Sequence, residues 1–432
     1  MSDFADELIH LKNTGSWSGG GTPSKANPAY WEGGTIPWVS PKDMKTFEIV
    51  DSQDKITPEA IADSPVRLVP AGSILMVVRS GILAHTFPVA IANTDVTLNQ
   101  DMKAIIPREN IVPKFLAYQL ISQSNTILTN CTKTGTTVSS VETKLLQSLP
   151  VWIPEEAKQE AIVADLDKQL SCLDETTSTL QAIQAKLKQA RASILKAAVE
   201  GRLVETDIPW STKPLRELLA EPMRNGKSAK TSTSGKGVRI ATLTAVTANQ
   251  FTESNTKPAD LDPSELDDLW LQPEDIFVQR SNAPELVGSS AMYSGQPNWA
   301  IFPDLLIRVR CSPEILPKWM LANLQAPSTR RYFKENAKGS SGSMPKISQS
   351  IIAEAVIACP SLKNQEATLE EIERRFTVLD QVEATVNASL RRCGQLRQAM
   401  LKSAFGGVKR SRSEAGSSLG LGISLRPPSS AS

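Results

Sequence analysis

The 432 residues carry 47 Lys and Arg against 46 Asp and Glu, two His, five Cys and 40% hydrophobic side chains. That length can bury two full domains with helical material to spare, while near-neutral charge withholds the overall electrostatic footprint of a nucleic-acid binder. Two histidines cannot build a His-ligated metal centre, and five scattered cysteines (Cys131, Cys172, Cys311, Cys359, Cys393) without a CxxC pair argue against a disulfide framework or zinc site.

Residues 1–153 consist of short β-type runs broken by Gly, Pro, Asn and Ser, among them 74–79 (ILMVVR) and 88–92, with a helical stretch at 113–128. A long helix is predicted over 154–204. Leu166, Leu173, Leu180, Leu187 and Ile194 recur every seven residues, as in a coiled coil, between Pro154 at the start and Gly201 at the end. Residues 205–359 return to the first plan, with strand-like runs at 239–242, 275–280 (DIFVQR) and 305–310 (LLIRVR) and a helical stretch at 317–336. Residues 360–409 form the second long helix, with Ile372, Leu379, Val386, Cys393 and Met400 at the seam. The composition of 410–432 predicts a disordered tail. No signal-peptide pattern opens the chain and no apolar run approaches membrane-spanning length, so the expectation is a soluble, cytoplasmic protein.

The two helices are copies of one another. Residues 154–204 align without a gap on 360–410 at a shift of 206, and fourteen positions are identical. These include Pro154/Pro360, Gln159/Gln365, Glu160/Glu366, Leu173/Leu379, Asp174/Asp380, Arg191/Arg397, Lys196/Lys402 and Gly201/Gly407. The fold class expected is therefore α+β: two similar domains separated by two long repeated helices, about 65 Å each, in a pseudo-two-fold arrangement. A helix with one apolar stripe must bury it, and the other copy is the natural antiparallel partner, which would set the two domains at opposite ends of a rod. The domains echo each other more loosely. A strand ends in Arg79-Ser80 and again in Arg280-Ser281, and a lysine-led loop of small residues follows each helical stretch, at 133–137 (KTGTT) and 338–342 (KGSSG).

Several segments resemble a known family. GGTPSKANPAYWEGGTIPWVSPKDMK (20–45) is similar to the opening of a target-recognition domain in the specificity subunit of type I restriction–modification systems. EPMRNGKSAK (221–230) resembles the opening of another subtype of that domain, and 149–162 (LPVWIPEEAKQEAI) and 355–368 (AVIACPSLKNQEAT) resemble its junction with the long helix. The resemblance implies a non-enzymatic reader of double-stranded DNA, in which each recognition domain binds one half of a split site and the helices fix the gap. It implies two modification (methyltransferase) subunits and motor–nuclease restriction subunits as partners. S-adenosylmethionine, ATP and Mg are then held by those partners, with no cofactor or metal in this chain.

Such a reader needs cations and hydroxyls against phosphates for register, and Arg, Asn, Gln or carboxylates at base edges for sequence. The DNA-binding candidates in the first domain are Lys25, Lys42, Lys45, Arg79, Lys133, Thr134, Thr136 and Thr137. In the second they are Arg224, Asn225, Lys227, Lys230, Arg280, Asn282, Lys338, Ser340, Ser341 and Lys346. Three fragments point elsewhere. Asn27-Pro28-Ala29-Tyr30 resembles the Asn-Pro-Pro-Tyr motif of amino-methyltransferases, which makes a DNA adenine methyltransferase the alternative reading; a coiled-coil scaffold joining two protein-binding domains is another. Gly226-Lys227-Ser228 looks like the end of a phosphate loop, but Glu221 stands where that loop needs glycine. Glu156 and Lys158 have a nuclease-like spacing without an upstream Asp. No catalytic residue is assigned.

Overall fold

In a computed structural model of the chain, the run ILMV becomes the strand Ile74–Val77, with all four side chains buried. It lies at the centre of a five-stranded sheet ordered Gly15–Gly19, Met102–Pro107, Ile74–Val77, Val89–Ala92 and Glu48–Ile49. Burial on both faces explains why the run is continuously apolar instead of alternating. The helix Pro113–Ser122 supplies Leu116, Ala117 and Leu120 to the same core, and the strands Glu7–His10 and Pro150–Ile153 pair antiparallel to close the domain. The structure describes residues 7–133, 138–205, 210–233, 235, 237–339 and 344–406. They fall into two compact units, one drawn from Met1–Thr179 and Ser389–Ser432, the other from Leu180–Ala388.

The second unit repeats the order of the first four of these strands. Its four-stranded sheet runs Arg224–Asn225, Leu306–Val309, Ile276–Gln279 and Ser290–Met292, and Ser211–Pro214 pairs antiparallel with Val356–Cys359. The stretch expected as one helix over 317–336 is two, Pro317–Gln325 and Pro327–Asn336, because Pro327 lacks the N–H that would continue the ladder. The stretch expected over 113–128 is likewise divided, into Pro113–Ser122 and Ser124–Cys131.

The long helices are Glu156–Val199 and Leu362–Gly406. Each compact unit holds part of both, and within each unit the parts pair antiparallel. In the first unit Arg397 bonds Asp174; in the second Arg191 reaches Asp380 and Glu383 (2.8 Å to the latter), and Gln184 donates to Asn387 at 2.7 Å. As the number on one helix rises, its partner's falls in step. Asp174–Arg397 and Asp380–Arg191 are one ion pair occurring twice, which gives a physical reason for two of the identities between the copies. Of the seam residues, Leu166, Leu173, Leu187, Ile372, Val386 and Cys393 are buried, while Leu180, Ile194, Leu379 and Met400 are half-buried. A strict seven-residue seam is too narrow a description. Leu170, Leu195, Ala198 and Leu401 are buried as well, since each helix packs against a domain as well as against its partner and needs a broader apolar face.

A buried glutamine fastens each helix to its domain. Gln159 accepts from Val112 N–H at 2.9 Å and donates to the carbonyls of Asn110 and Pro154. Gln365 accepts from Leu316 N–H at 2.9 Å and donates to those of Glu314 and Pro360. Both side chains are fully buried, and each backbone group left orphaned by their removal would cost about 1–3 kcal/mol.

Candidate nucleic-acid interface

Both domains finish their central strand in the same way. In the first, Val78 and Arg79 donate backbone N–H bonds to Asp101 O (2.9 and 3.2 Å), Ser80 N–H donates to Ser139 O, and Val141 N–H donates to Val78 O at 2.7 Å. The short strand Thr132–Lys133 pairs with Ser140–Val141, setting Lys133 opposite Ser140, which also bridges to Arg79. Arg79 and Lys133 therefore flank one serine from two sides, with side chains 63% and 71% exposed. In the second domain Ile347 N–H donates to Arg280 O at 2.9 Å, Ser281 bridges to Lys346, and Lys338 and Lys346 exchange two backbone bonds of 2.9 Å. Asn282 sits next along, its Oδ1 accepting from Ala283 N–H. The folding logic is local: a buried apolar strand runs out into a polar Arg-Ser step, and the lysine-bearing segment hydrogen-bonds alongside it.

The electrostatics of the two ends differ. Arg79 Nε lies 3.5 Å from Asp101 Oδ1, and Lys133 Nζ lies 2.9 Å from Glu142 Oε2. Among the described residues Arg280, Lys338 and Lys346 form no ion pair. The structure thus gathers Arg79 with Lys133, and Arg280, Asn282, Lys338 and Lys346 with one another.

The other candidates lie apart or are already engaged. Lys42 pairs with Asp54 at 2.7 Å, and Lys25 lines a cleft with Pro28, Trp31, Glu32 and Asp54. Lys45 borders a cavity beside Phe47, Tyr118 and Leu170 on the helix side of the first unit. Arg224 pairs with Asp268 (2.8 Å), Lys227 with Glu265 (3.0 Å), and Asn225 accepts from Gln349 Nε2 at 2.6 Å. Lys230 is exposed without an ion pair among the described residues. Thr134, Thr136, Thr137, Ser340, Ser341 and the 410–432 tail lie outside the described residues. Sequence reasoning passed over Arg331 and Lys334, which border a cleft with Pro284 and Glu285 just beyond Asn282. The clustered cations of TRRYFKEN were the available signal.

The fragments with enzyme-like spacing have structural uses. Asn27 Oδ1 accepts from Ala29 N–H (3.2 Å) and caps the turn Pro28–Tyr30. A Cβ at Gly226 would fall 2.0 Å from Phe302 O, so glycine serves a close backbone approach there. Glu221 binds Arg308 at 2.9 Å and Arg310 at 3.3 Å, and Lys158 lies 5.0 Å from the centre of the Trp152 ring. Among the described residues no group of three or more His, Cys, Asp or Glu is placed to hold a metal ion.

These features define an architectural class, two α+β units joined to two repeated long helices. Residues 7–189 match the family described as type I restriction modification DNA specificity domain. Those residues form a domain of that family, in line with the resemblance of the segments at 20–45 and 149–162. It is 43% identical over 175 residues to the type I restriction enzyme EcoR124I/EcoR124II specificity subunit of Escherichia coli, covering 38% of this chain and 43% of that one. With the EcoKI specificity subunit of Escherichia coli (strain K12) the identity is 29% over 284 residues, covering 63% and 60%. The chain thus spans about half the length of these relatives. A solved chain from work on complex assembly and conformational transition of the type I R-M system superposes with a TM-score of 0.66 at 14% identity, covering 92% of this chain and 97% of that one. That likeness shows a shared α+β fold.

Proposed function

We propose that the chain is the DNA-specificity subunit of a type I restriction–modification complex. Each recognition domain reads one half of a bipartite duplex sequence, and the paired helices set the gap. Two modification subunits methylate adenine with S-adenosylmethionine, and motor–nuclease subunits use ATP and Mg; this chain contributes recognition and no catalytic group, and it works in the cytoplasm. No helix among the described residues is long and apolar enough to cross a membrane.

The observation that carries this reading is the duplicated strand end. Two domains that share the order of four sheet strands each present an arginine and at least one lysine on a hydrogen-bonded polar platform. Cations there suit phosphates, and a guanidinium suits the guanine edge, where a good bidentate contact gives about 1–3 kcal/mol of discrimination. A methyltransferase role for the Asn27 segment is disfavoured because that amide oxygen already caps its own turn.

Exchanging residues 1–150 for the corresponding domain of a relative, with the modification subunits present, tests the reading. The methylated sequence should change in one half only, with the other half and the gap retained. An unaltered methylated sequence would leave the scaffold reading standing instead.

A further inference from the structure

The basic strand end of the second unit does not stop at Lys338. The helix Pro327–Asn336 leads into Lys338 two residues later, and Lys338 bridges through Lys346 to Ser281, beside Arg280. Along that helix Phe333 is buried, and Arg330 is turned inward, donating to the carbonyls of Val287 (2.8 Å) and Glu285 (3.1 Å). Those two bonds commit the guanidinium to holding the helix in place, and burial lowers its pKa to about 10. Arg331 and Lys334 line the same cleft as Arg330 and Val287. Both are exposed, and the cleft, of about 450 Å³, is also bordered by Pro284 and Glu285. Among the described residues neither forms an ion pair, although Glu285 lines the same cleft and Glu335 lies on the same helix.

The corresponding helix of the first unit, Ser124–Cys131 (SNTILTNC), carries no charged residue, and its strand-end cations Arg79 and Lys133 have Asp101 and Glu142 beside them. One unit therefore has an uncompensated cationic strip, and the other has the same scaffold with its charge locally neutralised. Uncompensated cations on a rigid helix beside a base-reading platform suit the phosphodiester backbone, whose attraction is independent of sequence.

We infer that Arg331 and Lys334 form a phosphate-binding strip that extends the second unit's contact along the DNA backbone and has no counterpart in the first unit. The inference rests on the DNA-reading role proposed above and adds an asymmetry to it: the second unit supplies more of the salt-dependent hold.

The test is equilibrium binding of duplex DNA containing the recognised site by the full chain assembled with its modification subunits, measured across a salt series. Each phosphate neutralised contributes roughly 0.9 to the slope of log affinity against log salt. The double variant Arg331→Gln, Lys334→Gln should flatten that slope by about 2, with the preference among second half-site sequences and the thermal unfolding unchanged. An unaltered slope overturns the strip. Altered base preference at the second half-site overturns it too, by making these side chains readers of sequence. Weakened assembly with the partner subunits at an unaltered DNA slope would assign the strip to an acidic protein surface instead. If the wild-type assembly shows no sequence preference at all, the failure lies with the recognition role and not with the strip.

Discussion

Removing one heptad from each long helix, residues 184–190 together with 381–387, should change the gap of the recognised site by about three base pairs and leave both half-sequences unaltered. The two segments lie opposite each other in the register shown by Gln184–Asn387 and Arg191–Asp380, so the deletion takes out matched lengths and keeps the Arg191–Asp380 pair while removing Glu383. Seven residues are one seam repeat, so the apolar faces return to register after the loss of Leu187 and Val386. The length removed is about 10 Å at roughly 1.5 Å per residue, or about three steps of a duplex that rises roughly 3.4 Å per base pair. Mapping methylated adenines in cells carrying the variant reads the outcome directly. A gap of the original length, with methylation still site-specific, would show that the helices do not set the spacing.

Glu221→Leu should destabilise the second unit by about 3 kcal/mol, because it strips a buried cation of its counter-charge. Arg308 is 3% exposed and is held by Glu221 at 2.9 Å and by the carbonyl of Asp268 at 2.9 Å. Arg310 also touches Glu221 but keeps Asp275, at 2.5 and 3.1 Å, so the loss concentrates on Arg308. A lone guanidinium inside a strand cannot recover its hydration without opening the sheet. Adding Arg308→Met should return most of the lost stability, since an apolar side chain of similar length has no charge to satisfy. Urea unfolding of the two variants separates these cases. A loss below about 1 kcal/mol in the single variant would mean that water reaches Arg308 after all, as it does at surface ion pairs.

The parts of this fold that were legible in the sequence are those governed by local pattern. The seven-residue recurrence from Leu166 to Ile194 exposed the first helix because a helical face repeats on a short period, and its copy at a shift of 206 exposed the second. The Arg-Ser strand ends were visible because an apolar run stopped there. What stayed hidden depends on partners distant in the chain. Gln159 and Gln365 stood out as an identity, yet their task became apparent only when Val112 and Leu316 were placed against them.

Charge compensation was hidden for the same reason. Lys42, Arg224 and Lys227 looked like free cations, but their carboxylates lie 12, 44 and 38 residues further along. Arg331 and Lys334 escaped notice because 317–336 read as one helix, and the break at Pro327 gives the second segment an exposed face of its own.

If two similar units each read one half of a split duplex sequence, the mark they leave on the genome is itself split. Genome-wide mapping of modified adenines by single-molecule sequencing, in a host expressing this chain with its modification subunits and in the same host lacking it, reads that mark. The expected result is a chain-dependent motif of two short defined sequences separated by an unspecified gap of constant length. A single uninterrupted motif, or a methylation pattern identical with and without the chain, would contradict it.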